Sequence, residues 1–189
     1  MEDKRSSSNS FSARIPETSG FITLLTDFGL SDAYVGVMRG VIARINPRAT
    51  VIDLCHEVSP QNVEEGAFLL ASSYSFFPEG AVHVAVVDPA VGSKRRALCV
   101  AAGDFLFVGP DNGVLSLACS HAGIKEIRSL KNEACFLDPV SRTFHGRDIF
   151  APVAAHLSAG TPMEKLGPKL RTMRRLEIPG LERGRGPSV

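Results

Sequence analysis

Residues 82–96, VHVAVVDPAVGSKRR, decide how this chain is read. Val82 to Val87 is an almost unbroken apolar run, rich in valine, as in a strand covered on both faces. It stops at Asp88. Pro89 then removes a backbone donor and Gly92 permits a turn. Open α/β sheets bind their ligands beyond the carboxyl ends of the strands, which is where Asp88 falls. Arg95 and Arg96 follow in the same short loop, and an arginine beside the carboxylate would keep it ionised and fix its direction. Taken alone, the loop equally fits an aspartate capping a turn, with two solvated arginines beside it.

Upstream, Phe21 to Leu25 reads as a second strand, ending at Thr26-Asp27-Phe28-Gly29. Ser31 or Asp32 can cap the helix that follows. Tyr34, Val37, Met38, Val41, Ile42 and Ile45 give that helix an apolar stripe, and Asn46-Pro47 ends it. Val51 to Leu54 is a third strand, leading into Cys55-His56-Glu57. Ser59-Pro60 predicts the start of a second helix, which runs to Pro78. The first half is thus β-α-β-α-β, the pattern of parallel strands joined by crossover helices.

Downstream, 97–102 and 105–108 predict a hairpin about Gly103-Asp104. The turn cluster Gly109-Pro110-Asp111-Asn112-Gly113 opens a short helix over 114–122, and Ile124 to Leu130 suits a further strand. Phe144-His145-Gly146-Arg147-Asp148 leads into a helix over 149–160, with Gly160 at its carboxyl end. Beyond about residue 160 the periodicity fades, and a loosely docked tail is expected.

A hydrophobic content of 44% over 189 residues suits one domain with a tail at each end. The expected boundaries are a disordered leader over 1–20, an α/β domain over 21–170 and a loosely ordered tail over 171–189. The leader has serines and charges but no apolar core of a signal peptide. No stretch approaches the roughly 20 apolar residues of a membrane-spanning helix. A formal net charge of +1 gives no field that would draw the chain to nucleic acid or anionic lipid. Cys55, Cys99, Cys119 and Cys135 form no C-x-x-C pair, and reduced thiols packed as small hydrophobes in a cytoplasmic protein are expected.

Asp27, Asp53 and Asp88 stand at strand ends on one edge of the expected sheet, with His56 close behind. Arg95 and His145 are candidates to complete a carboxylate-rich pocket there. Asp27-Phe28-Gly29 matches the kinase metal-binding tripeptide, but the glycine-rich and catalytic loops that must precede it are missing. The chain also lacks a P-loop, a dinucleotide fingerprint and a nucleophile elbow. The three aspartates leave a hard-metal site open but form no tight motif, so no metal is expected. Bland readings also apply. His56 suits a hydrogen-bonded structural histidine and His83 half-buried packing. His121 and His156 suit surface helix positions, Asp53 a carboxylate bonding backbone amides, and Asn112 a turn residue.

Five segments together say more. LTDFGLSDAYVGVMRGVI (25–42), VIDLCHEVSPQNVEEGAFLL (51–70), FPEGAVHVAVVDPAVGSKRR (77–96), FVGPDNGVLSLA (107–118) and TFHGRDIFAPVAAHLSAG (143–160) resemble, in the same order, the S-adenosylmethionine hydrolase (adenosine-forming) family. Its members are also called S-adenosylmethionine hydroxide adenosyltransferases and are related to fluorinase and chlorinase. The likeness covers roughly residues 21 to 170. It implies a three-layer α/β/α sandwich with a largely parallel central sheet. It also implies hydrolysis of S-adenosylmethionine to adenosine and L-methionine by in-line attack of water at the ribose 5′ carbon, without a cofactor.

By the same resemblance Asp88, Arg95 and His145 are the catalytic set, Asp27 grips the ribose hydroxyls, and Asp32 and Asn112 lie near the methionine end. The complete Asp-Arg-His set favours water over halide. The expected partner is a small-molecule substrate, with neither nucleic acid nor membrane, in a homotrimer. Two departures stand out. Ala90 replaces a usual glycine, and the family's C-terminal β-barrel domain is not seen in this sequence. A catalytically weak or inactive single-domain module that binds adenosine or S-adenosylmethionine, or serves in assembly, is therefore the alternative, and a halide adenosyltransferase a more remote one.

Overall fold

The computed structural model describes residues 14–176. Its centre is a seven-stranded sheet: β1 (Phe21–Thr26), β2 (Thr50–Cys55), β3 (Val82–Val86), β4 (Ala97–Ala102), β5 (Phe105–Pro110), β6 (Ile124–Ser129) and β7 (Lys169–Leu170). The spatial order is β2-β1-β3-β5-β4-β6-β7. β2, β1, β3 and β5 run parallel, whereas β4, β6 and β7 pair antiparallel. The sheet is therefore mixed. The parallel half comes from the βαβ units and the antiparallel half from the β4–β5 hairpin.

Four helices cover the sheet: α1 (Tyr34–Ile45), α2 (Val63–Ser73), α3 (Ser116–Ala122) and α4 (Ala151–Ser158). Met38 and Ile42 of α1 share one apolar cluster with Phe150 and with Val153 and Leu157 of α4. Leu70 of α2 shares the other with Leu115 and with Ala118 of α3. The result is three layers. Because α1 and α2 leave β1 and β2 for opposite faces, the chain changes winding direction beside β1, which opens a crevice at the carboxyl ends of β1 and β3. All of β3 is buried, so His83 is not half-buried but fully enclosed. An alternating pattern signals exposure only in a sheet with one bare face.

Some expectations are corrected. The second helix begins at Val63, not at Ser59-Pro60. Asn62 caps it by accepting the Glu65 N–H at 3.1 Å, and Glu65 reaches back to the Ser59 N–H at 3.0 Å. The stretch after 160 is not loosely docked: Met163, Leu166 and Met173 are buried, and Lys169–Leu170 extends the sheet. Of the expected leader, residues 1–13 lie outside the described residues, whereas Ile15 packs on the core and Ser19 N–H bonds the Gly80 carbonyl at 3.0 Å. Of the expected tail, residues 177–189 lie outside the described residues. Asp53 does not bond backbone amides but pairs with Arg39 of α1. Among the described residues no helix is long and apolar enough to cross a membrane.

Candidate active site

Asp88 stands just past the end of β3. Its Oδ2 accepts the Arg95 Nε–H at 2.8 Å and a second hydrogen bond from Nη2 of the same guanidinium. The two side chains are 4% and 8% exposed, so this is a nearly buried, charge-assisted pair. Arg95 also lies over the Phe150 ring, with Cζ 5.3 Å from the centroid. The guanidinium is thereby fixed on one side by the carboxylate and on a face by the ring.

Arg95 Nη2 also stands 2.8 Å from His145 Nδ1. A guanidinium has hydrogens to give and no lone pair to offer, so Nδ1 must be the acceptor. That assigns the imidazole proton to Nε2 and makes His145 neutral. Burial, followed by the Arg95 charge, holds its pKa below the ordinary histidine value. The order of donors is therefore Arg95 to His145 and Arg95 to Asp88. Asp88 Oδ1 is left buried with no protein partner.

The same aspartate borders a cavity of about 210 Å³. Asp27 and Phe28, from the exit of β1, line it beside Asp88. Val91 comes from the DPAVG loop, and Thr143, His145 and Gly146 from the loop before α4. Gly146 has no room for a side chain: a Cβ there would come within 3.1 Å of the Phe28 ring. Gln61 also lines the cavity and holds φ at 65°, the one left-handed non-glycine among the described residues. Its N–H is satisfied by Asp27 Oδ2 at 2.8 Å, which leaves the other Asp27 oxygen free of that bond. Since Gln61 carries the positive φ, Ala90 does not; alanine in DPAVG needs no left-handed backbone.

The sequence-derived candidates thus divide. Asp88, Arg95, His145 and Asp27 come together. Asp32 is exposed at the start of α1 and accepts the Tyr34 N–H at 2.8 Å. Asn112 clamps the end of β3 by donating to the Val87 carbonyl at 2.7 Å and accepting from Val114 N–H at 3.1 Å. Neither borders the cavity. Asp53 and His56 also stay apart from it, and His56 bonds Thr26 Oγ1 at 2.8 Å. Among the described residues no three of the His, Cys, Asp and Glu side chains cluster closely enough to hold a metal ion. Reading the sequence missed Gln61, Phe28 and Thr143. Only Gly146 beside a candidate histidine gave a hint, as a place where chain must approach chain.

Residues 22–167 match the SAM hydroxide adenosyltransferase N-terminal domain. The chain belongs to this family. It is 48% identical over 162 residues to an (R)-S-adenosyl-L-methionine hydrolase of Salinispora tropica, covering 84% of this chain and 62% of that protein. A fluorinase of Actinopolyspora mzabensis is more distant, at 30% identity over 79% of this chain and 58% of that protein. The crystal structure of an uncharacterized conserved protein from Thermotoga maritima gives a TM-score of 0.82 at 46% identity, covering 83% of this chain and 61% of that one. The chain thus spans about three fifths of the length of the hydroxide adenosyltransferase relatives it matches, 62% in the Salinispora case.

Proposed function

We propose that this domain hydrolyses S-adenosyl-L-methionine to adenosine and L-methionine. The reading rests on one observation: Asp88 lines a cavity and is held through Oδ2 by Arg95, while its Oδ1 is buried without a partner. A buried carboxylate oxygen without a donor is costly, and a water O–H aimed at it relieves that cost. Such a water is already oriented and has a base beside it.

The reaction asks for little else. The water oxygen forms a bond to the ribose 5′ carbon as the carbon–sulfur bond breaks. The electron pair goes to sulfur, which departs as the neutral thioether of methionine. The leaving group needs no acid. The proton of the water passes to Asp88 Oδ1, because the His145 nitrogen facing Arg95 is occupied. His145 acts as the acceptor that holds the guanidinium against Asp88, and Arg95 fixes the direction of the Asp88 carboxylate. The free oxygen of Asp27 is suited to accept from the ribose hydroxyls. Asp32 and Asn112 are assigned to the methionine end, Asn112 through its hold on the strand exit before Asp88.

No cofactor enters these steps. The partner is the small-molecule substrate, not nucleic acid or membrane, in a cytoplasmic homotrimer; the mixed charge and family membership support this. Incubating the chain with S-adenosyl-L-methionine in ¹⁸O-water should release equal amounts of methionine and adenosine, with the label in the 5′ hydroxyl. No release, or a 5′-halogenated product in chloride, would overturn the reading.

A further inference from the structure

The loop before α4 holds a buried charge that the chemistry above does not use. Asp148 is 1% exposed. It accepts the Ser141 N–H at 2.8 Å and takes Arg147 in a two-point grip, at 2.6 Å from Nε and 3.1 Å from Nη2. Burial raises its pKa, but the bonds from Arg147 and Ser141 outweigh that and hold it below the usual carboxylate value. The main chain closes on the same residue: Asp148 N–H bonds the Phe144 carbonyl and Leu137 N–H the Asp148 carbonyl, both at 2.9 Å. Ser141 Oγ accepts the Phe144 N–H at 2.7 Å. Residues 141–148 are thus tied into a ring by polar bonds that converge on one carboxylate.

That ring carries His145. Its grip also reaches the aromatic side of the cavity. Arg147 lies over the Phe144 ring at 5.0 Å, and its N–H points to the Tyr34 hydroxyl at 3.4 Å. Tyr34 meets Phe28 edge-on at 4.7 Å. Directly after His145 the chain makes a π turn over Gly146–Phe150, with Ala151 N–H bonding the Gly146 carbonyl. Such turns cost regular helix hydrogen bonding and recur at functional sites.

We infer that Asp148, together with Arg147, is a positioning residue of this site, tying the 141–148 ring so that His145 presents Nδ1 to Arg95. This rests on the reading of Asp88, Arg95 and His145 given above. Around His145 stand Arg95, Asp88, the Ser141 carbonyl and Asp148. Arg95 disfavours the imidazolium and the other three favour it. Release of the ring removes burial and the Arg95 contact first, so the histidine titrates nearer its ordinary value.

The test follows the His145 imidazole by long-range ¹H–¹⁵N spectra of the full chain, its signal assigned by loss in His145→Gln. The wild type should show the proton on Nε2 and titrate below 6.5. In Asp148→Asn, and in Arg147→Leu for a milder lesion at a part-exposed side chain, the titration should move up toward the ordinary histidine value and the tautomer preference should fade. The turnover number should fall roughly 10- to 100-fold, with the KM for S-adenosyl-L-methionine within about 2-fold. An unchanged His145 signal in both folded variants overturns the inference, even if both melt earlier. If the wild type releases no adenosine, the hydrolase reading fails, whereas the His145 signal still decides this one.

Discussion

Strand β3 and its exit carry two buried polar side chains whose surroundings could hardly differ. His83, inside the strand, is 0% exposed. Its Nδ1 bonds Thr23 Oγ1 at 2.8 Å, while Nε2 has no partner and the ring lies against Phe107, 5.2 Å between centroids. Asp88, past the strand's end, also has one satisfied and one unsatisfied atom. The first is walled in by Tyr74, Phe77, Phe105 and Phe107; the second borders a cavity. An unsatisfied atom in a packed core is a stability cost. The same defect beside a cavity is a place for a ligand atom. Position along one strand separates the two.

The comparison is sharpest between His83 and His145, the histidine that Arg95 links to Asp88, because burial lowers both pKa values. The larger expected effect is at the site. Neutral His145 accepts from Arg95, and protonation would set two positive charges against each other. In the proposed mechanism the neutral form is the working one, and its pKa is lowered, so turnover should hold as pH falls through 6.5 and drop only below it. His145→Ala should lower the turnover number roughly 100-fold at neutral pH, within the range for positioned polar groups. An acid limb at or above 6.5 in the wild-type rate profile would count against the neutral acceptor.

The smaller effect is in the core and moves stability, not rate. Burial pushes His83 down to about 3. Between that value and 6.5 the unfolded chain binds a proton that the folded chain refuses. Stability is therefore intact above 6.5, declines as pH falls, and levels off below about 3. The slope from this one group approaches roughly 1 kcal/mol per pH unit. Replacing the pair by Thr23→Val with His83→Leu removes both polar partners together and should flatten that slope at little cost near neutrality. Denaturant melts at pH 7, 5.5 and 4 would show it; equal slopes in variant and wild type would contradict the assignment.

The same contrast explains what could be read in the sequence. Asp88, Arg95 and His145 were legible because each sits in a short polar loop between long apolar runs. Asp27 was legible for the same reason. His83 was misjudged because its neighbours in sequence are the same whether one face of the sheet is covered or both. Gln61 gave no signal at all, since its left-handed backbone is imposed by Asp27 and by the true start of α2, not by its own type. The stretch over 163–173 was misjudged because a short 3₁₀ turn and a two-residue strand carry no period, though Met163, Leu166 and Met173 are buried. Asp148 was quoted in a motif but had no role, because its partners Ser141 and Arg147 are brought around it only by the folded loop.

The central claim is that the unpartnered oxygen of Asp88 is the base for an attacking water. Adenosine release from S-adenosyl-L-methionine by the wild type and by Asp88→Asn, which keeps the shape and an acceptor for Arg95 but removes the basic oxygen, tests it most directly. The account predicts a loss of roughly 1,000-fold or more with the melting temperature close to wild type. Release within about 3-fold of wild type would contradict it, because positioned proton acceptors are worth far more than that.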